Sequence, residues 1–135
     1  MNAAMEQFVK FLQEKSIKYT EVNEKSMKIT YGGKNVNSVS VIIVFGDDCQ
    51  DVQLAVLSIV AVPEEKRPEV YRVCSENNMH YRWVKFYLDS DGDLTADADA
   101  IIRPSDGPEI CFEMLLHIIS IVDKAYPSFM KAMWA

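Results

Sequence analysis

The stretch WVKFYLDSDGDLTADAD, residues 83–99, decides the fold. Val84, Phe86 and Leu88 alternate with Trp83, Lys85 and Tyr87, and Leu94, Ala96 and Ala98 alternate with Thr95, Asp97 and Asp99. Period-two alternation on both sides of a turn predicts two antiparallel strands, each with one apolar face. A two-residue turn at Asp91-Gly92 would pair Leu88 with Thr95 and Phe86 with Asp97, setting carboxylates on the apolar face. A three-residue loop, Ser90-Asp91-Gly92, instead pairs Leu88 with Leu94, Phe86 with Ala96 and Lys85 with Asp97. A one-residue slip exchanges the two faces, so the second register is the expected one, with Gly92 supplying the left-handed residue that closes the loop.

A second hairpin precedes it. Residues 38–45 (SVSVIIVF) and 52–61 (VQLAVLSIVA) are rich in Val and Ile and are joined by the polar loop Gly46–Gln50. Their nearly continuous apolar runs predict central strands covered on both faces. Met27, Ile29 and Tyr31 mark another strand ending at Gly32-Gly33, and residues 18–23 are a weaker candidate.

Helices frame these strands. Met5, Phe8, Val9 and Leu12 give residues 3–15 one apolar stripe. A second helix is expected over 64–77, starting at Glu64 or at Pro68 and closing on Asn77-Asn78. A third opens at Asp106-Gly107-Pro108 and runs over 109–124, with Glu113, His117, Ser120 and Lys124 as a narrow polar stripe. A helix covered on one side shows a broad polar face, so this one is expected to be sandwiched by the chain itself or by a second subunit. Tyr126-Pro127 is expected to break it before a short final turn carrying Phe129, Met130, Met133 and Trp134. The order α-β-β-β(-β)-α-β-β-α over residues 1–135 predicts a single α+β domain, an antiparallel sheet flanked by helices.

Composition narrows the function. A chain of 135 residues that is 49% hydrophobic forms one core without staples. A net charge of −6, with no basic run interleaved with aromatics, argues against nucleic acid and anionic membranes as partners. The apolar segment near 110–122, broken by Glu113 and His117, falls short of the ~20 residues of a bilayer span. The N-terminus lacks signal-peptide character, and Cys49, Cys74 and Cys111 fit no disulfide or zinc spacing. A reduced, cytoplasmic protein is expected.

No catalytic, metal or cofactor site is predicted. Asp89-Ser90-Asp91-Gly92-Asp93 looks like a calcium loop, but an EF-hand places Gly sixth and Glu twelfth between helices. Here Gly92 is fourth, Ala100 is twelfth and strands flank the loop. His80 and His117 have no Cys or His at ligand spacing. Cys49 with His80 has no local support as a nucleophile pair. Gly32-Gly33-Lys34 lacks phosphate-loop spacing.

The informative residues are apolar. Trp83 and Tyr87 lie opposite the apolar face of their strand, and Met130, Met133 and Trp134 crowd the C-terminus. Aromatic and Met side chains are enriched at interfaces, which makes these five candidate protein-contact residues. Cover by the first helix or the tail is the competing account.

From the second helix onward the chain resembles the YbjN family of bacterial sensory transduction regulators. The resemblance rests on Asn77-Asn78, on Trp83, Lys85 and Tyr87, on the Asp89/Asp91-Gly92 turn, and on the apolar helix ending near Asp123 and Tyr126-Pro127. It implies a type III secretion chaperone-like fold and a non-enzymatic, homodimeric module that binds protein or regulates. It transfers no catalytic residue. A small-molecule sensor with a pocket between the sheet and the last helix is the alternative.

Overall fold

A computed structural model describes residues 1–134. Helix α1 (Ala3–Glu14) is capped by Asn2, whose side-chain oxygen accepts from the Ala4 and Met5 N–H groups. Strands β1 (Thr20–Asn23), β2 (Ser26–Tyr31), β3 (Val39–Phe45) and β4 (Asp51–Ala61) follow. A 3-10 turn, Glu64–Lys66, leads into α2 (Arg67–His80), then β5 (Lys85–Leu88), β6 (Asp93–Ile101) and α3 (Gly107–Trp134). The antiparallel sheet has the order β1-β2-β3-β4-β6-β5.

The β5–β6 hairpin adopts the expected register, with Lys85 opposite Asp97, Phe86 opposite Ala96 and Leu88 opposite Leu94. Gly92 sits at φ +78°. The guanidinium of Arg67 lies where a Cβ on Gly92 would project, so crowding adds to the left-handed requirement. Asp89 ties the turn together, its Oδ1 accepting from Asp91 and Asp93 N–H and its Oδ2 from the Thr95 hydroxyl.

All three helices pack on one face of the sheet. Met27, Ile43, Leu54 and Ala98 form one buried row across four strands, with Phe45, Val52, Phe86 and Leu94 on the same face. The expectation that β3 and β4 would be covered on both faces is corrected: along β3, Val39, Val41, Ile43 and Phe45 are buried, whereas Ser40, Ile42 and Val44 are not. The other face is open, carrying Lys28, Ile42, Ala55, Asp97 and Lys85 in one row. Three residues of β4, Leu57–Ile59, bulge between the pairs Val56–Ala96 and Val60–Leu94, with Ser58 at φ +51°.

The sandwiching of α3 comes from the chain itself. It packs against β3, β4 and β6, with α1 beside it on one flank and α2 on the other. Phe11 meets Phe112 at 5.4 Å between ring centroids and Phe86 meets Phe129 at 5.1 Å. Pro127 does not break this helix, contrary to expectation. Proline removes the N–H that would bond the carbonyl four residues back. That carbonyl belongs to Asp123, and the Asn35 side chain donates to it at 3.0 Å. The Asp123 carboxylate accepts the N–H groups of Lys34, Asn35 and Val36, so the β2–β3 loop is docked on the helix at the proline.

Helix α2 starts at the later of its two expected positions, with Pro68 in its first turn, and runs beyond Asn77-Asn78 to His80. Both asparagines bond through their side chains: Asn77 to the Val73 carbonyl and the Ser128 hydroxyl, Asn78 to the backbone of Phe86. Lys85 caps the helix end, its Nζ donating to the Asn78 and Tyr81 carbonyls. Among the described residues no helix is long and apolar enough to cross a membrane.

A candidate protein-binding groove

The sheet ends differently at its two borders with α2 and α3. Along β5, the outer edge is closed at Phe86. Asn78 Oδ1 accepts from the Phe86 N–H at 2.7 Å and Asn78 Nδ2 donates to the Phe86 carbonyl at 3.0 Å, as a neighbouring strand would. The chain leaves the sheet just before β5. Trp83 stands at φ +76°, a left-handed backbone that bulky residues rarely adopt. Trp83 is therefore not a residue of the strand itself, as the alternation suggested, but the residue at which the strand breaks off.

That departure leaves part of β6 without a neighbour. The Asp89 N–H bonds the Asp93 carbonyl, so alternate β6 residues from Asp93 point their backbone groups toward β5. Thr95 and Asp97 are met there by Tyr87 and Lys85. Asp99 and Ile101 point the same way, and among the described residues no strand pairs with them on that side. An unpaired sheet edge is a template for an added strand.

Beside this edge runs a groove of about 400 Å³ between β6 and the N-terminal half of α3. Trp83, Ala100, Ile110 and Met114 provide its apolar surface and Glu113 and His117 its polar side chains, while Asp99 and Ile101, whose side chains lie on the open sheet face, line it at the strand edge. Trp83 is 59% exposed and Ile101 71%. The Trp83 and His117 ring centroids lie 6.4 Å apart, and His117 Nε2 is 3.9 Å from a Glu113 carboxylate oxygen.

The other candidate contact residues are dispersed. Tyr87 is exposed on the open sheet face. There, burial raises its hydroxyl pKa, and its hydrogen bond to Asp97 adds to the shift. Burial likewise raises the Asp97 carboxyl; the Tyr87 bond opposes this and the charge of Asp99 reinforces it. Trp134 projects from the end of α3, 81% exposed, and Met130 is half-buried. Met133 is 7% exposed and packs in the core, so it takes no part in an exposed surface. Continuation of α3 through Pro127 turned it inward. Ile101 and Ile110 escaped the sequence reading because nothing local shows that β6 outlasts its β5 partner.

The reactive side chains are dispersed as well. The Cys49 thiol, in the β3–β4 turn, donates to Asn2 Oδ1, and the His80 ring stands edge-on to Tyr81. Burial pushes the Cys74 thiol up to about 11 and raises that of Cys111 further. Among the described residues no group of three or more His, Cys, Asp or Glu is arranged to hold a metal ion.

A family model described as "Putative bacterial sensory transduction regulator", YbjN, matches residues 5–130. Two solved structures share the fold. One, titled "Crystal structure of YbjN, a putative transcription regulator from E. coli", is 11% identical with a TM-score of 0.64, covering 92% of each chain. The other, from "Crystal Structure of the ExsC-ExsE Complex", is 17% identical with a TM-score of 0.59, covering 100% of this chain and 99% of that one. No curated protein matches closely enough to name a relative.

Proposed function

Since this chain belongs to the YbjN family and has an α+β, secretion-chaperone-like fold, we propose that it is a non-enzymatic, protein-binding regulatory module of the cytoplasm that acts as a homodimer. The observation that carries the reading is the unpaired β6 edge at Asp99 and Ile101, lying against an apolar groove. A sheet edge supplies main-chain hydrogen bonds to an extended segment and the groove receives its alternate side chains. A strained, exposed tryptophan at the break is the kind of backbone outlier that accompanies binding sites. The same fold occurs in a protein crystallised in complex with another protein, which supports the reading.

Self-association is assigned to a different surface, the open sheet face. Ile42, Val44 and Ala55 lie near its centre, and Leu57 and Tyr87 are exposed. Sedimentation equilibrium should give a dimer, and Ile42→Glu with Val44→Glu should return it to a monomer while Trp83→Ala leaves it intact. A wild-type monomer at high micromolar concentration would sink the homodimer. Partner capture on the immobilised chain should be lost in Trp83→Ala and in Ile101→Pro, which removes an N–H from the unpaired edge. Identical captured proteins with and without these substitutions would count against the groove.

The small-molecule alternative would use the same space. Ligand pockets enclose ~70–90% of their ligand's surface. This groove runs along an open strand edge, with Trp83 and Ile101 largely exposed, a shape suited to a polypeptide.

A further inference from the structure

The groove constrains the chemistry of what enters it. We propose that it selects an extended segment of another protein whose inward-facing side chain is cationic, lysine or arginine. The proposal rests on reading the groove as a protein-binding site and adds a specificity to it.

The backbone argues for an extended occupant. The N–H and C=O groups of Asp99 and Ile101 alternate along an unpaired edge, and a strand in the line vacated by β5 is the shape that meets both. Such a strand turns every second side chain toward the space between Trp83 and α3. Ile110 and Met114 there offer apolar surface for a long aliphatic stem.

The charges argue for a basic head group. Glu113 brings a carboxylate to the groove from the helix side, with the Trp83 ring also on its wall, whereas Asp99 lines it at the strand edge, its side chain sharing the open sheet face with Asp97. Among the described residues the one ion-pair partner of Glu113 is His117, at 3.9 Å. No lysine or arginine lines the groove; Arg82, next to Trp83, and Arg103, two residues beyond Ile101, are not among its walls. A cation is attracted both to an indole face and to carboxylates. The net charge of −6 draws a basic segment in and disfavours an acidic one.

The test is a titration of the ¹⁵N-labelled full chain with three capped peptides, Thr-Val-Thr-X-Thr-Val-Thr, in which X is Arg, Gln or Glu. The Arg peptide is expected to shift the Asp99 and Ile101 amides and the Trp83 indole, and to bind at least about tenfold more tightly than the Gln peptide, with Glu weakest. The variant Glu113→Gln is expected to erase the Arg–Gln difference while amide resonances elsewhere stay in place. Equal binding of all three peptides at the groove overturns the charge selection and leaves the protein-binding reading standing. Shifts confined to other surfaces, or none, overturn both. If concentrating the protein alone shifts the same resonances and blocks every peptide, a second copy fills the groove, and the proposal of a separate basic partner is overturned.

Discussion

The side-chain amide of Asn78 bonds both backbone groups of Phe86, donating to its carbonyl at 3.0 Å and accepting from its N–H at 2.7 Å. One residue thereby does for β5 what a seventh strand would do. The consequence lies next door: with β5 closed at Phe86, the open edge on this side of the sheet is the part of β6 that β5 does not reach.

Asn78→Ala leaves the half-buried Phe86 groups without their partner. The expected cost is about 1–3 kcal/mol, read by urea unfolding. Faster hydrogen exchange at the Phe86 amide should accompany it. Unchanged exchange there would show that the amide is not what protects this edge.

Asn35 and Pro127 should be energetically coupled. In the native chain Asn35→Ala strands the Asp123 carbonyl and should cost about 1 kcal/mol. In a Pro127→Ala background the restored helical N–H takes that carbonyl, so the same change should cost less. A double-mutant cycle measures the difference, and strict additivity would refute the coupling.

Asp123 should link the β2–β3 loop to acid. Burial tends to raise its carboxyl pKa, but the N–H groups of Val36, Asn35 and Lys34, with the Lys34 charge, bring it below the usual value. The unfolded chain, with an ordinary Asp near ~3.9, then takes up the proton first. The contribution is therefore complete above that value and is lost as pH falls through the lower folded one. Wild-type stability should decline in that acid range more steeply than that of Asp123→Asn. Parallel profiles would contradict the linkage. Near neutrality Asp123→Ala should cost about 2 kcal/mol.

Trp83→Gly separates strain from binding. Glycine adopts φ +76° without the steric penalty of tryptophan. Because Trp83 is largely exposed, the variant should be as stable as the native chain or more so, by up to about 1 kcal/mol. Partner capture should nevertheless fall. A marked loss of stability would instead make Trp83 a packing residue.

Much of the architecture was legible from local chemistry. The β5–β6 register follows from alternation, because slipping one residue would turn Asp97 onto the face that Phe86 and Leu88 bury. Gly92 follows from the left-handed closure of a three-residue loop, and the long apolar girth of α3 anticipates a helix packed on several sides. These features repeat within one or two turns of chain, so neighbours in sequence carry them.

What only the tertiary structure decided depends on partners far away in sequence. A proline reads as a helix break until a carbonyl acceptor finds a donor 88 residues distant, as Asp123 finds Asn35. That continuation buries Met133, which the sequence placed among the exposed candidates. The open face of β3 and β4 was equally hidden, since Ile42 and Val44 are as apolar as the residues they alternate with. So was the groove, because strand length in one element is set against strand length in another: β6 runs on to Ile101 where its partner has already turned away at Trp83. Periodicity determines which way a side chain points from its own backbone; only the packed chain determines what, if anything, stands there to meet it.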